Sequence, residues 1–112
     1  MINISEIPTK EILPGFVARF LHTKNNTIGF VDIKAGGILP EHAHHHTQTT
    51  QVTEGNLELT INGVTSVFKP GMIAVIPSNI PHSAKALTDC KVTDIFSPVR
   101  EDYKYFSFEN NF

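Results

Sequence analysis

From Phe16 onward, apolar residues recur at every second position in short runs: FVARFLH, IGFVDIK, NLELTIN, VTSVFK, MIAVIP and KVTDIF. A period of two sends alternate side chains to opposite faces of an extended chain, so each run predicts a short, half-buried strand. The separators are turn chemistry: Asn25-Asn26, Gly36-Gly37, Asn62-Gly63, Pro70-Gly71 and Pro77-Ser78-Asn79. Asn62-Gly63, between two alternating runs, predicts a two-residue hairpin, because both residues tolerate the positive φ that a type I′ turn demands. No amphipathic helical stretch interrupts the series. The pattern predicts an all-β domain whose antiparallel strands are closed or sandwiched. Residues 1–15 and the tail YKYFSFENNF, residues 103–112, flank the set. The tail alternates aromatic and polar residues, which suits an added strand or a contact between subunits.

Composition narrows the function. A chain of 112 residues that is 40% hydrophobic can build one core and is too short for two, so a single domain over 1–112 is expected. A formal charge of -2 and a pI near 6.3 give no electrostatic footing for a phosphate backbone, and nucleic acid is not an expected partner. Cys90, the one cysteine, has no second thiol to pair with. The start MINISEIPTKEILPGF has neither a basic region nor a long apolar run, which makes the cytoplasm the expected compartment. No apolar segment approaches the roughly 20 residues of a membrane helix, so no membrane partner is expected.

The chemistry concentrates in GGILPEHAHHHTQTTQVTEG, residues 36–55, where four of the six histidines fall within five positions. A first-row divalent metal needs several nitrogen or oxygen donors converging from separate places in the chain. His42 and His44, two apart on a strand, aim into one cavity. Gln48 follows in the same sheet region with an amide oxygen that can act as a neutral ligand. His82, after the proline-bracketed turn IPSNIP, is the donor from elsewhere. His45 and His46 read as rim or surface imidazoles, with contact to a ligand or substrate left open for His46, and His22 reads as structural or exposed.

A second signal lies in KVTDIFSPVREDY, residues 91–103. If Val92 and Phe96 face inward, the period of two puts Asp94 on the same face between them. A carboxylate there needs a partner, a proton or a catalytic role, and Arg100 is the nearest cationic candidate. A carboxyl beside a metal cavity can have its pKa moved into a range useful for proton transfer.

These two segments resemble the cupins. Gly36, His42, His44, Gln48 in the glutamate slot and Gly55 match the first cupin motif, G-x5-H-x-H-x3-E-x6-G. Gly71, Pro77, Asn79 in the second glycine slot and His82 match the second, G-x5-P-x-G-x2-H. Asn79 suits that slot because asparagine tolerates left-handed backbone. The resemblance implies a cupin-type antiparallel β-barrel (a jelly-roll-like double-stranded β-helix) with a conserved core over residues 28–100. Its interior would hold one divalent metal, Ni, Zn, Mn or Fe, on His42, His44, Gln48 and His82. With the D-x-F-S-P-x-R-E-D segment added, the chain resembles the KdgF-type cupins of pectin and alginate breakdown, which linearise 4,5-unsaturated monouronates. That resemblance implies a small anionic sugar acid as substrate and places the family's turnover residues on Asp94, Phe96 and Arg100. Small cupins are often dimers, and a homodimer with the tail from Tyr103 docked across its interface is the corresponding expectation. Thr47 stands where a glutamate usually precedes the glutamine, and Gln51 where an aromatic is common; both bear on pocket shape. Two other classes fit the same motifs: a metal-dependent cupin dioxygenase, and a barrel that binds a sugar without turning it over.

Overall fold

A computed structural model describes residues 1–106 of the chain. Ten strands follow one another: β1 (Lys10–Leu13), β2 (Phe16–His22), β3 (Thr27–Ile33), β4 (Ile38–His42), β5 (Thr47–Glu54), β6 (Leu57–Ile61), β7 (Val64–Phe68), β8 (Ile73–Ile76), β9 (His82–Ala86) and β10 (Cys90–Ser97). Two short 3-10 turns, Ile4–Glu6 and Glu101–Phe106, bracket them. The strands form a six-stranded sheet in the order β1-β2-β3-β10-β5-β8 and a four-stranded sheet in the order β4-β9-β6-β7, with every pairing antiparallel.

Strict alternation decides which face of each sheet is buried. In β2 the residues Phe16, Ala18, Phe20 and His22 are buried and those between them are half-buried, and β3 follows the same rhythm. Phe16, Phe20, Val31, Ile33, Val52, Leu57, Leu59 and Val92 meet between the sheets as one apolar core. The hairpin at Asn62-Gly63 has the expected geometry, with φ of 50° and 79° at the two residues. Gly55 closes the turn between β5 and β6 at φ +80°, where an added Cβ would lie 2.0 Å from the Asp89 carbonyl oxygen.

Four strands lie outside the apolar runs: β1, β4, β5 and β9. β5 reads TQTTQVTE and β9 reads HSAKA, so neither shows large apolar residues at alternate positions. β4 contains Pro40, which an edge strand accommodates because one of its sides makes no ladder bonds. No helix among the described residues is long and apolar enough to cross a membrane. The tail expected at a subunit contact lies outside the described residues from position 107 on. Tyr103 packs within its own chain, its ring stacked on Phe20 at 4.4 Å between centroids.

Candidate functional site

His42 and His82 come from the four-stranded sheet, where they sit opposite each other in the β4–β9 ladder. Gln48 comes from β5 in the other sheet, so the site bridges the two. His44 differs from the sequence expectation: β4 ends at His42, and His44 lies in the connection to β5. A backbone bond from Asn79 N–H to the His44 carbonyl, 2.8 Å, ties that connection to the turn before His82. Asn79 sits at φ 62°, the left-handed conformation that the motif demands of this slot.

The three imidazoles converge. One ring nitrogen from each of His42, His44 and His82 lies within 4.8 Å of the others. Their orientations are set by the main chain, because Nδ1 of His42 faces the Pro40 carbonyl at 2.9 Å. Nδ1 of His82 likewise faces that of Ile80 at 2.8 Å, and Nδ1 of His44 that of His46 at 3.1 Å. A carbonyl oxygen can only accept, so Nδ1 carries the proton in each ring and Nε2 is left with its lone pair. Burial pushes the pKa values of His44 and His82 down, with the Arg100 charge adding to the effect at His44, so both rings hold these lone pairs near neutrality.

Two details fit a bound cation. Nε2 of His82 is buried and has no hydrogen-bond partner among the described residues. Nε2 of His44 lies 3.1 Å from the Gln48 amide oxygen, an arrangement that sets two acceptors face to face. Opposed lone pairs repel unless a positive centre accepts both, and imidazole nitrogen with amide oxygen is a donor set for a borderline divalent ion. The arrangement suits a metal ion without specifying which one.

Asp94 faces the interior between Val92 and Phe96, as its period predicts, and stands opposite Thr50 in the β10–β5 ladder. It makes no ion pair with Arg100. Its Oδ1 accepts from Thr50 Oγ1 at 2.7 Å and from Gln48 Nε2 at 3.4 Å. Burial raises its pKa to about 6, against the opposing pull of those two hydrogen bonds and of the Arg100 charge.

Arg100 pairs with Asp102, through Nε at 3.0 Å and Nη2 at 2.8 Å. Its guanidinium lies 4.0 Å from the Tyr103 ring centre and 4.8 Å from that of Phe96, so two aromatic faces hold it in place. The Arg100 backbone N–H donates to Thr27 Oγ1, which also pairs with His22 Nδ1 at 2.8 Å. His22 is therefore a buried structural residue. His42, Gln48, His82, Asp94, Phe96 and Arg100 all border one interior cavity, together with Thr50 and Tyr103.

His45 is exposed, as expected of a rim residue, but His46 is 6% exposed. The connection folds back so that its ring lies 6.4 Å from that of Phe96, which corrects the surface reading. Thr50 and Tyr103 were not legible as site residues. The period of two could have found Thr50, which shares the face of Gln48 on β5, whereas Tyr103 is placed by a 3-10 turn that leaves no periodic trace.

Residues 29–96 match the family model of the cupin domain, and the chain belongs to the cupin family. It is similar to KdgF from Halomonas sp., at 31% identity over 90% of this chain and 94% of that one, with a TM-score of 0.83. An RmlC-like cupin from Shewanella frigidimarina NCIMB 400 is similar at 27% identity, covering 88% and 90% of the two chains, with a TM-score of 0.84. A salicylate 1,2-dioxygenase from Pseudoaminobacter salicylatoxidans shares the fold at 22% identity and a TM-score of 0.73, over 77% of this chain and 27% of its own. None of the curated proteins matches the chain.

Proposed function

We propose that the protein linearises 4,5-unsaturated monouronates, converting the cyclic enol ether to the open 5-keto acid. The observation that carries this reading is the meeting, in one cavity, of a carboxyl raised to about 6, a guanidinium held between aromatic rings, and a convergent set of histidines. The likeness to KdgF along most of both chains supports it.

The roles follow from the chemistry. Arg100 binds the substrate carboxylate with the guanidinium edge that Asp102 leaves open, in the planar geometry suited to a carboxylate. Phe96 walls the sugar ring and keeps water from it. Asp94 takes the proton of the C1 hydroxyl as the C1–O5 bond breaks, leaving an aldehyde at C1 and an enolate at C5 with O5 carrying the charge. It then returns that proton to C4 as the enolate collapses and C5 becomes a ketone. The sequence is an isomerisation, and a group with a pKa near 6 is populated in both forms it requires. A divalent transition metal held by His42, His44, His82 and Gln48 would polarise a coordinated substrate oxygen and help to orient the sugar acid.

The test is the ultraviolet absorbance of an unsaturated monouronate, whose conjugated C4=C5 bond is lost on linearisation. The metal-replete protein should accelerate the decay, EDTA should suppress it, and Asp94→Asn should lower kcat by about 100-fold or more while metal stays bound. No acceleration by metal-replete protein rejects the activity. Oxygen uptake accompanying the decay would instead make the protein an oxygenase.

A further inference from the structure

The hydrogen bonds behind Gln48 run in one direction only. An ionised Asp94 can accept but not donate, so the Thr50 hydroxyl, 2.7 Å from Oδ1, must give its single hydrogen to the carboxylate. Thr50 then has only lone pairs left for Gln48. The amide must turn its nitrogen towards Thr50 at 2.9 Å, from where it also reaches Asp94 at 3.4 Å. Because the amide is planar, its oxygen is directed the opposite way, to 3.1 Å from His44 Nε2. Gln48 and Thr50 are alternate residues on one face of β5, and Asp94 is the direct cross-strand neighbour of Thr50. The backbone therefore delivers all three groups to one line, with both Gln48 and Thr50 buried.

A carboxylate at position 48 would break this chain. Its inward oxygen would face Thr50 and Asp94 with no hydrogen to offer, and the one Thr50 hydrogen could not serve two acceptors. Two carboxylates would then share a site built for one. We propose that Thr50 is a positioning residue that fixes the Gln48 amide with its oxygen towards the histidines, and that Asp94 is the reason an amide occupies the slot where the cupin motif has glutamate. The proposal rests on reading His42, His44, Gln48 and His82 as a metal-binding set. It implies that the charge can be moved only if both positions change together. In Gln48→Glu/Asp94→Asn the amide at position 94 donates to Thr50 where the Asp94 carboxylate accepted, and Thr50 donates in turn to the carboxylate at position 48.

The experiment measures Co2+ affinity of metal-stripped full-length protein by titration, with the d–d absorption of bound Co2+ reporting its coordination. Circular dichroism confirms that each variant is folded. Thr50→Val should weaken binding about 10-fold and alter the spectrum, and Thr50→Ser should restore both, as expected for a group that orients a ligand. Gln48→Glu should bind no more tightly than wild type despite its added charge, and Gln48→Glu/Asp94→Asn about 10-fold more tightly than Gln48→Glu. Wild-type affinity and spectrum in Thr50→Val, with His82→Ala unable to bind, overturn the positioning role while the metal site stands. Gln48→Glu binding about 10-fold more tightly than wild type overturns the pairing with Asp94. Undiminished binding in His82→Ala overturns the metal-site reading and this inference with it.

Discussion

The two ends of the barrel interior are built by the same strands and differ in what those strands turn inward. Along β5 the inward series runs Gln48, Thr50, Val52, and along its partner β10 it runs Phe96, Asp94, Val92. β9 passes in the same direction from His82 to Ala84 and Ala86, opposite Ile61, Leu59 and Leu57 of β6. One end is thus packed with apolar side chains, and the other holds a desolvated acid and a buried nitrogen without a partner. Groups of the second kind cost stability, and a contiguous apolar end is what lets a small fold bear them. The comparison teaches that stability and chemistry are divided along the strands instead of between elements.

The largest expected effect lies at the polar end. His42→Ala/His44→Ala should abolish metal retention and leave the barrel folded, because both rings are only half-buried and outside the apolar core. Metal content per chain after desalting, with circular dichroism, checks this; full occupancy would remove the proposed site. The converse change is Leu57→Ala at the apolar end, where the side chain is 2% exposed. It should cost about 2–5 kcal/mol in urea unfolding and leave the metal stoichiometry of the folded protein unchanged. A loss of metal there, or a negligible stability change, would erase the division.

The smallest effect concerns pH. Asp94 is raised to about 6 from 3.8, so the native protein holds this proton more tightly than the unfolded chain. Its contribution to stability is complete below about pH 4 and is lost as pH rises through 6. Asp94→Asn should therefore raise the melting temperature at pH 7.5 and leave it unchanged at pH 4. An equal shift at both values would mean that burial of the charge does not set the penalty.

The same division explains what could be read from the sequence. The core strands β2, β3, β6 and β10 announce themselves through alternating apolar residues, and Asn62-Gly63 marks its own hairpin. Of the strands without such a signal, β4, β5 and β9 carry His42, Gln48 and His82. They lack the apolar signal because their inward positions hold ligating or hydrogen-bonding groups, as Gln48 and Thr50 do on β5, or small residues, as Ala84 and Ala86 do on β9. The histidine spacing still betrayed the cluster through the motif, although it misplaced His44 on the strand. Period-two reasoning put Asp94 on the correct face and offered Arg100 as its nearest cation, but could not show that Asp102 and Tyr103 hold that guanidinium, because the 3-10 turn that brings them there has no such period.

The three imidazoles take their aim from the carbonyls of Pro40, His46 and Ile80, groups that every residue type supplies. Substitution of the side chains around them therefore leaves their orientation untouched, whereas Gln48 depends on the identity of two neighbours. The histidine trio is thus aimed by the main chain alone, and the glutamine corner by side chains that must agree with one another. A lineage can redraw the walls and the fourth position, and so change its chemistry, without first having to reinvent the centre.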